Sequence, residues 1–150
     1  MGLTGLTGFL HRHRRIALDS SIFIYQLEAN PRYVELTNHV FSWLEQADHS
    51  AVSSTITMTE LLVHPYRNSD DRQVDEFYTL LSTFPNLAWV PTGLAIADTA
   101  AKVRAVHRLR TPDALQAATA IQSQATGLIT NDGVFERVKE FEILVLDRLF

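Results

Sequence analysis

Ile16-Ala17-Leu18-Asp19-Ser20-Ser21 is the stretch on which the reading of this chain turns. Three apolar residues follow the basic cluster Arg12, Arg14 and Arg15, then stop at a carboxylate and two hydroxyls. A short apolar run bounded by polar residues suits a fully buried strand, although periodicity alone leaves a buried helix segment open. In an open α/β sheet, ligands bind in the crevice beyond the carboxyl ends of the strands. A strand ending at Leu18 puts Asp19 at that edge. Acids arriving at the ends of other strands would converge on it.

The chain beyond this stretch alternates. Ser20 or Ser21 caps a short helix through Leu27, which Asn30-Pro31 ends. Pro31 suits a first helical position and opens a second helix to about Ala47, with Val34, Val40, Phe41 and Leu44 on one face. Ala51 to Ser54 reads as a strand leading into Thr57-Met58-Thr59-Glu60, and Pro65 stops the apolar segment that follows. An amphipathic helix is expected from Asp70 to Phe84, a strand from Leu87 to Val90, and a long helix opened by Thr92 with a basic end. Thr111-Pro112-Asp113 starts an alanine-rich helix that runs through Ala125 and stops at Gly127. Leu128 to Thr130 forms a strand, Asn131-Asp132-Gly133 a turn, Val134 to Lys139 a short helix, and Ile143 to Leu146 a last strand. Strands alternating with helices predict an α/β fold: a doubly wound, three-layer α/β/α sandwich around a mostly parallel central sheet.

Composition narrows the classes. At 150 residues the chain is expected to be one domain with a core that needs no staples. It has no cysteine, which excludes disulfides, thiolate zinc sites and cysteine nucleophiles and is compatible with a cytoplasmic location. The opening MGLTGLTGFL is small and mildly apolar with its basic residues after it, the reverse of a signal peptide. Residues 1–14 are therefore expected to form a loose extension. No run approaches the ~18 apolar residues of a membrane span, so no membrane partner is expected. The net charge of −4 argues against bulk attraction to nucleic acid, but the count omits any cation held by the protein's own carboxylates.

Four acids stand at strand ends or just inside helices: Asp19, Glu60, Asp113 and Asp132. Each has an ordinary explanation. Asp19 can cap the first helix, and Thr57 with Glu60 fits a capping box. Asp113 follows a Thr111 cap and Pro112, where negative charge suits the helix dipole, and Asp132 beside Gly133 is a common turn pair. Together they mean more, because strand-to-helix junctions of a parallel sheet share one edge. Clustered carboxylates repel each other unless something cationic sits among them. Hard divalent cations such as Mg2+ or Mn2+ prefer such oxygen ligands and can activate water against a phosphodiester.

Ile16–Tyr25 (IALDSSIFIY), Thr111–Ala120 (TPDALQAATA) and Leu128–Asp132 (LITND), with Glu60 between them, resemble a PIN domain, and in particular the small VapC-type toxins of toxin–antitoxin pairs. The likeness spans 15–150 and leaves the leader outside. It implies an endoribonuclease that cuts RNA with Mg2+ (or Mn2+). The family's four acids fall on Asp19, Glu60, Asp113 and Asp132, with Asp19 and Asp113 as the firmest metal ligands. Its supporting hydroxyls fall on Ser20 and Thr130. The resemblance also implies a homodimer and a cognate protein antitoxin whose arm enters the acidic site. The chain departs from the family in its longer leader and in the arginine-bearing loop before Asp113, where Arg104, Arg108 and Arg110 are the candidates for RNA contact.

Three other readings stay open: a housekeeping PIN nuclease in RNA processing or DNA repair, a PIN-like module that binds RNA or protein without cleaving, and a phosphatase with Asp19 as nucleophile. The last resembles enzymes carrying a second aspartate two residues on, where this chain has Ser21. The basic patch of His11, Arg12, His13, Arg14 and Arg15 is expected to be solvated leader, and His39, His49, His64 and His107 lack metal-ligand spacing. Trp43 and Trp89 read as core or interface.

Overall fold

Ile16 and Leu18 pack with one apolar cluster and Ala17 with another, so the strand that holds them is covered on both sides. The computed structural model describes residues 2–150. Its strands are β1 (Arg15–Leu18), β2 (Ser50–Ser54), β3 (Leu87–Val90), β4 (Gly127–Thr130) and β5 (Glu142–Val145). They form one parallel sheet in the order β3-β2-β1-β4-β5. Ile16 lies opposite Ala51 on one side and Gly127 on the other.

One face is covered by α1 (Gly2–His11), α2 (Ser20–Leu27), α3 (Val34–Leu44), α4 (Thr55–Arg67) and α5 (Asp71–Ser82), whose core includes Phe23, Phe41, Leu44, Leu61 and Leu81. The other is covered by α6 (Leu94–His107), α7 (Thr111–Gln122) and a 3-10 helix (Gly133–Arg137). There Ala114, Ala117, Ala118 and Ala120 let α7 lie close to the strands. The result is the expected three-layer α/β/α sandwich. The chain moves outward from β1 to β3 and then crosses back through α6 and α7 to β4. The strand order therefore reverses between β1 and β4, and in open α/β sheets ligands bind beyond the carboxyl ends at such a switch point. No helix among the described residues is long and apolar enough to cross a membrane.

The leader departs most from expectation. Residues 2–11 form α1 rather than a loose extension, and Leu6, Phe9 and Leu10 are buried in the first core. Its apolar residues at i, i+3 and i+4 make one sticky stripe, which periodicity alone shows only weakly in ten residues. The stripe also explains Gly127: a Cβ there would stand 2.6 Å from Phe9 Cζ. Arg12 and His13 then pin the helix to Glu142 of β5 at 2.7 and 2.6 Å.

Smaller differences have local causes. α3 begins at Val34 and not Pro31, because Asn30 folds the chain into a turn through bonds from Arg32 N–H to its Oδ1 and from Tyr33 and Val34 N–H to its carbonyl. Pro65 lies inside the last turn of α4 and does not stop it; its carbonyl accepts from Asp70 N–H, closing the helix end. Gly127 does not end α7 either. Gln124 takes the left-handed turn at φ 59°, and Gly127 opens β4. The expected helix from Val134 to Lys139 is the 3-10 turn Gly133–Arg137.

Candidate active site

Asp19 leaves β1 with extended backbone and caps α2, its Oδ1 accepting from Ser20 N–H at 2.8 Å. Its Oδ2 accepts from Thr130 Oγ1 at 2.7 Å, across the β1–β4 pair. Thr130 is fully buried, and the same hydroxyl accepts from Asp132 N–H at 3.0 Å. One oxygen thus ties the first acid to the loop that carries the fourth. Asp132 is exposed, and its Oδ1 caps the 3-10 helix through Val134 N–H at 3.0 Å.

Glu60 reaches the same edge from α4. The capping-box expectation for Thr57 and Glu60 does not hold, because Ser54 is the cap: its Oγ accepts from Ile56 N–H at 3.2 Å. Thr57 lies inside the helix, buried, and its hydroxyl accepts from Gln116 Nε2 of α7. Glu60 is free of any capping duty. The residue is exposed, but its carboxyl reaches inward toward Ser20, whose Oγ lies 3.4 Å from Oε2 and 3.5 Å from Asp19 Oδ1. Asp113 stands in the first turn of α7, partly buried, with Arg110 Nε 3.6 Å from its Oδ2. Arg110, not Thr111, occupies the cap position and makes no side-chain capping bond.

The acids feel one another. Burial raises the Asp19 carboxyl above the usual range, Thr130 and Ser20 pull it back, and the charges of Asp113 and Asp132 raise it again. Glu60 is raised first by desolvation and then by Asp19, with Asp113 adding to this and Ser20 and Arg110 opposing it. Desolvation also raises Asp113; Arg110 opposes it and Asp132 reinforces it. A cluster of oxygen ligands that resists losing its protons has the donor chemistry for a hard divalent cation. Yet among the described residues no three acidic or imidazole side chains stand close enough to hold one ion. The donor set fits in kind, and gathering it onto one ion takes rotation of the exposed members, Glu60 and Asp132.

The candidate arginines divide. Arg110 is 83% exposed and lies at the acids. Arg104 Nη1 donates to Thr111 Oγ1 at 2.5 Å, bracing the loop from α6 into α7. Arg108 is the left-handed residue that ends α6, at φ 59°, and its carbonyl accepts from Arg137. His64 and His107 pair with Asn68 and Glu140, away from the four acids.

Two supports were not visible in the sequence. Asn131 uses its whole side chain: Nδ2 donates to Tyr25 OH at 2.9 Å and Oδ1 accepts from Asp147 N–H at 2.9 Å, while its backbone N–H donates to Ser21 Oγ at 3.2 Å. It fixes the loop that carries Asp132. The Thr57–Gln116 bond is the second; it sits one helical turn behind both Glu60 and Asp113, and it joins the two helices that carry them. Asn131 has a signal of sorts, standing between Thr130 and Asp132. A buried glutamine in an alanine-rich helix has none.

A comparison with curated protein sequences returns no significant match. Solved structures do match in fold. VapBC2 from Rickettsia felis, bound to a DNA fragment from its promoter, superposes with a TM-score of 0.70 at 17% identity, covering 87% of this chain and 97% of that one. A toxin–antitoxin complex from Klebsiella pneumoniae gives 0.64 at 20% identity with the same coverage. FitAcB from Neisseria gonorrhoeae gives 0.65 at 19%, again covering 87% and 97%. PIN domains are in general nucleases. The PIN domain family model matches residues 16–141, from the start of β1 to the approach to β5, and the chain belongs to that family.

Proposed function

We propose that this protein is a Mg2+- or Mn2+-dependent endoribonuclease and the toxin of a toxin–antitoxin pair. The observation that carries the reading is the meeting of Asp19, Glu60, Asp113 and Asp132 at the sheet's switch point in a PIN-family chain. Asp19 and Asp113 are the principal ligands for the cation, completed by Glu60 and Asp132. When bound, such a cation activates water and neutralises charge that develops on the phosphodiester. Thr130 and Ser20 hold Asp19 in one orientation, and Asn131 holds the Asp132 loop. Glu60, raised by desolvation and then by Asp19, and exposed enough to reach solvent, is the acceptor for the proton of the attacking water. Arg110 contacts the phosphate of the RNA strand beside the acids, with Arg104 and Arg108 as outer contacts.

The partner is a protein antitoxin met in the cytoplasm, a reading supported by the toxin–antitoxin complex from Klebsiella pneumoniae among the structures of similar fold. An arginine or lysine of its arm would fill the anionic pocket in place of the cation. The reading includes a homodimer, for which the neighbouring exposed side chains Val63 and Tyr66 of α4 are a candidate contact. The deciding experiment is cleavage of a labelled RNA panel by purified protein with Mn2+, with Mg2+ and with EDTA, beside Asp113→Asn. Metal-dependent cutting that the variant lacks is expected. RNA binding without cleavage under every condition would replace the nuclease by a binding module.

A further inference from the structure

A cavity lies at the other end of the sheet. Its walls come from α1, from His13 and Arg14 just before β1, from α3, and from His49 just before β2. They sit at the amino ends of the strands, whereas the acids sit at the carboxyl ends. The cavity holds about 440 Å³, inside the ~300–1,000 Å³ range of small-molecule sites. His11, His39 and His49 line it with His13 and Arg14, and no carboxylate among the described residues does.

Known contacts account for part of this lining. His13 is engaged by Thr126 at 2.7 Å and Glu142 at 2.6 Å. His39 uses Nε2 on Thr7 at 3.1 Å; His49 uses Nδ1 on the Trp43 carbonyl at 2.7 Å and stacks on the indole at 4.2 Å. What remains without a hydrogen-bond or ion-pair partner among the described residues is His39 Nδ1, His49 Nε2, the His11 ring, the Arg14 guanidinium, the Ser42 hydroxyl, the Trp43 indole N–H and the Gln46 amide. The carboxyl ends of α1 and α3 also point here, and their negative carbonyls would oppose an anion if bare. Most of them are engaged: Phe9 and Leu10 carbonyls accept from Arg12 and His13 N–H, Phe41 and Trp43 from Glu45 and Gln46 N–H, and Leu44 from Asn86 Nδ2. The surplus is of ring nitrogens and one fixed cation over an indole floor. The unengaged donors are the Arg14 guanidinium, the Ser42 hydroxyl, the Trp43 indole N–H and the Gln46 amide, and a guanidinium with such donors beside it is an arrangement that takes a phosphoryl group.

We infer that this cavity binds a phosphorylated small molecule of up to nucleotide size, with Arg14 on the phosphoryl oxygens and His39 and His49 beside it. Thr7, Leu10, His11, His13 and Arg14 precede residue 16, where the family match begins, so half of the pocket is built by this chain's own leader. The site is separate from the proposed nuclease centre and does not depend on it.

The test is an NMR titration of the full chain, labelled on histidine, in EDTA with inorganic phosphate, adenosine monophosphate and adenosine. Saturable shifts of the His39 and His49 resonances with the first two, and none with adenosine, are expected. Tighter binding of the nucleotide would assign a nucleotide ligand, and equal affinity would assign free phosphate. Arg14→Gln, an exposed change, should weaken binding at least tenfold, and Asp113→Asn should leave it unchanged. Affinities weaker than about 1 mM for both anions, equal binding of adenosine, or full binding by Arg14→Gln would overturn the assignment.

Discussion

Replacing Thr130 by valine keeps the shape of a fully buried side chain and removes one oxygen that serves two partners. The 2.7 Å bond to Asp19 is made to a carboxylate, and hydrogen bonds to charged groups are worth about 1.5–3 kcal/mol. The Asp132 N–H loses its acceptor too, but that loop is exposed and water can replace part of the loss. A destabilisation of about 2–4 kcal/mol near neutral pH follows. Thr130→Ser keeps the hydroxyl and should lose only about 1 kcal/mol for the buried methyl.

The pH dependence separates this from a packing defect. Asp19 is raised in the folded state, so between its unfolded and folded pKa values the folded protein binds more protons. Stability from this group is therefore greatest in acid and falls as pH rises through the folded value. Thr130→Val removes a bond to the charged form and raises that value further. The gap between variant and wild type is widest above both values and narrows as acid protonates Asp19. Urea unfolding of wild type, Thr130→Val and Thr130→Ser from neutral pH into the acid range measures this, and RNA cleavage should drop about tenfold or more in the valine variant. A valine variant within ~0.5 kcal/mol of wild type at neutral pH, or a gap that does not change with pH, would refute the coupling of Thr130 to the Asp19 charge.

Asp113→Asn should abolish cleavage and also lower the pKa values of Asp19 and Glu60 toward the ordinary carboxylate range, because its charge contributes to raising both; carboxyl NMR titration reads this directly. Thr57→Val or Gln116→Leu alone should cost about 1–3 kcal/mol by orphaning a buried partner, while the double variant costs less than the sum in a double-mutant cycle. Phe9→Ala should destabilise the whole domain by about 3–5 kcal/mol, since the ring is 1% exposed; an unchanged melting temperature would mean that α1 is dispensable to the core.

What the sequence made legible was whatever depends on neighbours in the chain. The run Ile16–Leu18 announces a buried strand because both faces of a central parallel strand must be apolar, and LITND announces β4 and its turn for the same reason. What stayed hidden depends on partners far along the chain. α1 is held by Glu142, 130 residues beyond Arg12, and Gly127 is small because of Phe9. Pro65 and Gly127 look like stops by local rules, yet tertiary contacts give them other places. Asp19 was legible as a cap and Asp132 as a turn residue, and both as candidate acids.

That double legibility bears on how the acids are weighed. Asp19 caps α2 and Asp132 caps the 3-10 turn, so the ordinary explanation of each is true and excludes nothing. Asp113 enjoys the amino end of α7 and the nearby Arg110. Glu60 has no such occupation. Ser54 already caps its helix, Glu60 is the sixth residue of α4, and no cation among the described residues pairs with it in direct contact. Its carboxyl instead reaches toward Ser20 and the negative Asp19, and desolvation followed by the Asp19 charge raises its pKa. A lone surface glutamate would turn to water and avoid that repulsion. Its inward reach is the feature that local structure leaves unexplained and a cation among the acids would explain. Glu60→Gln should relieve the repulsion from Asp19 and weaken Mn2+ binding. If Mn2+ affinity were unchanged, Glu60 would be a rim residue and the site would rest on the three aspartates.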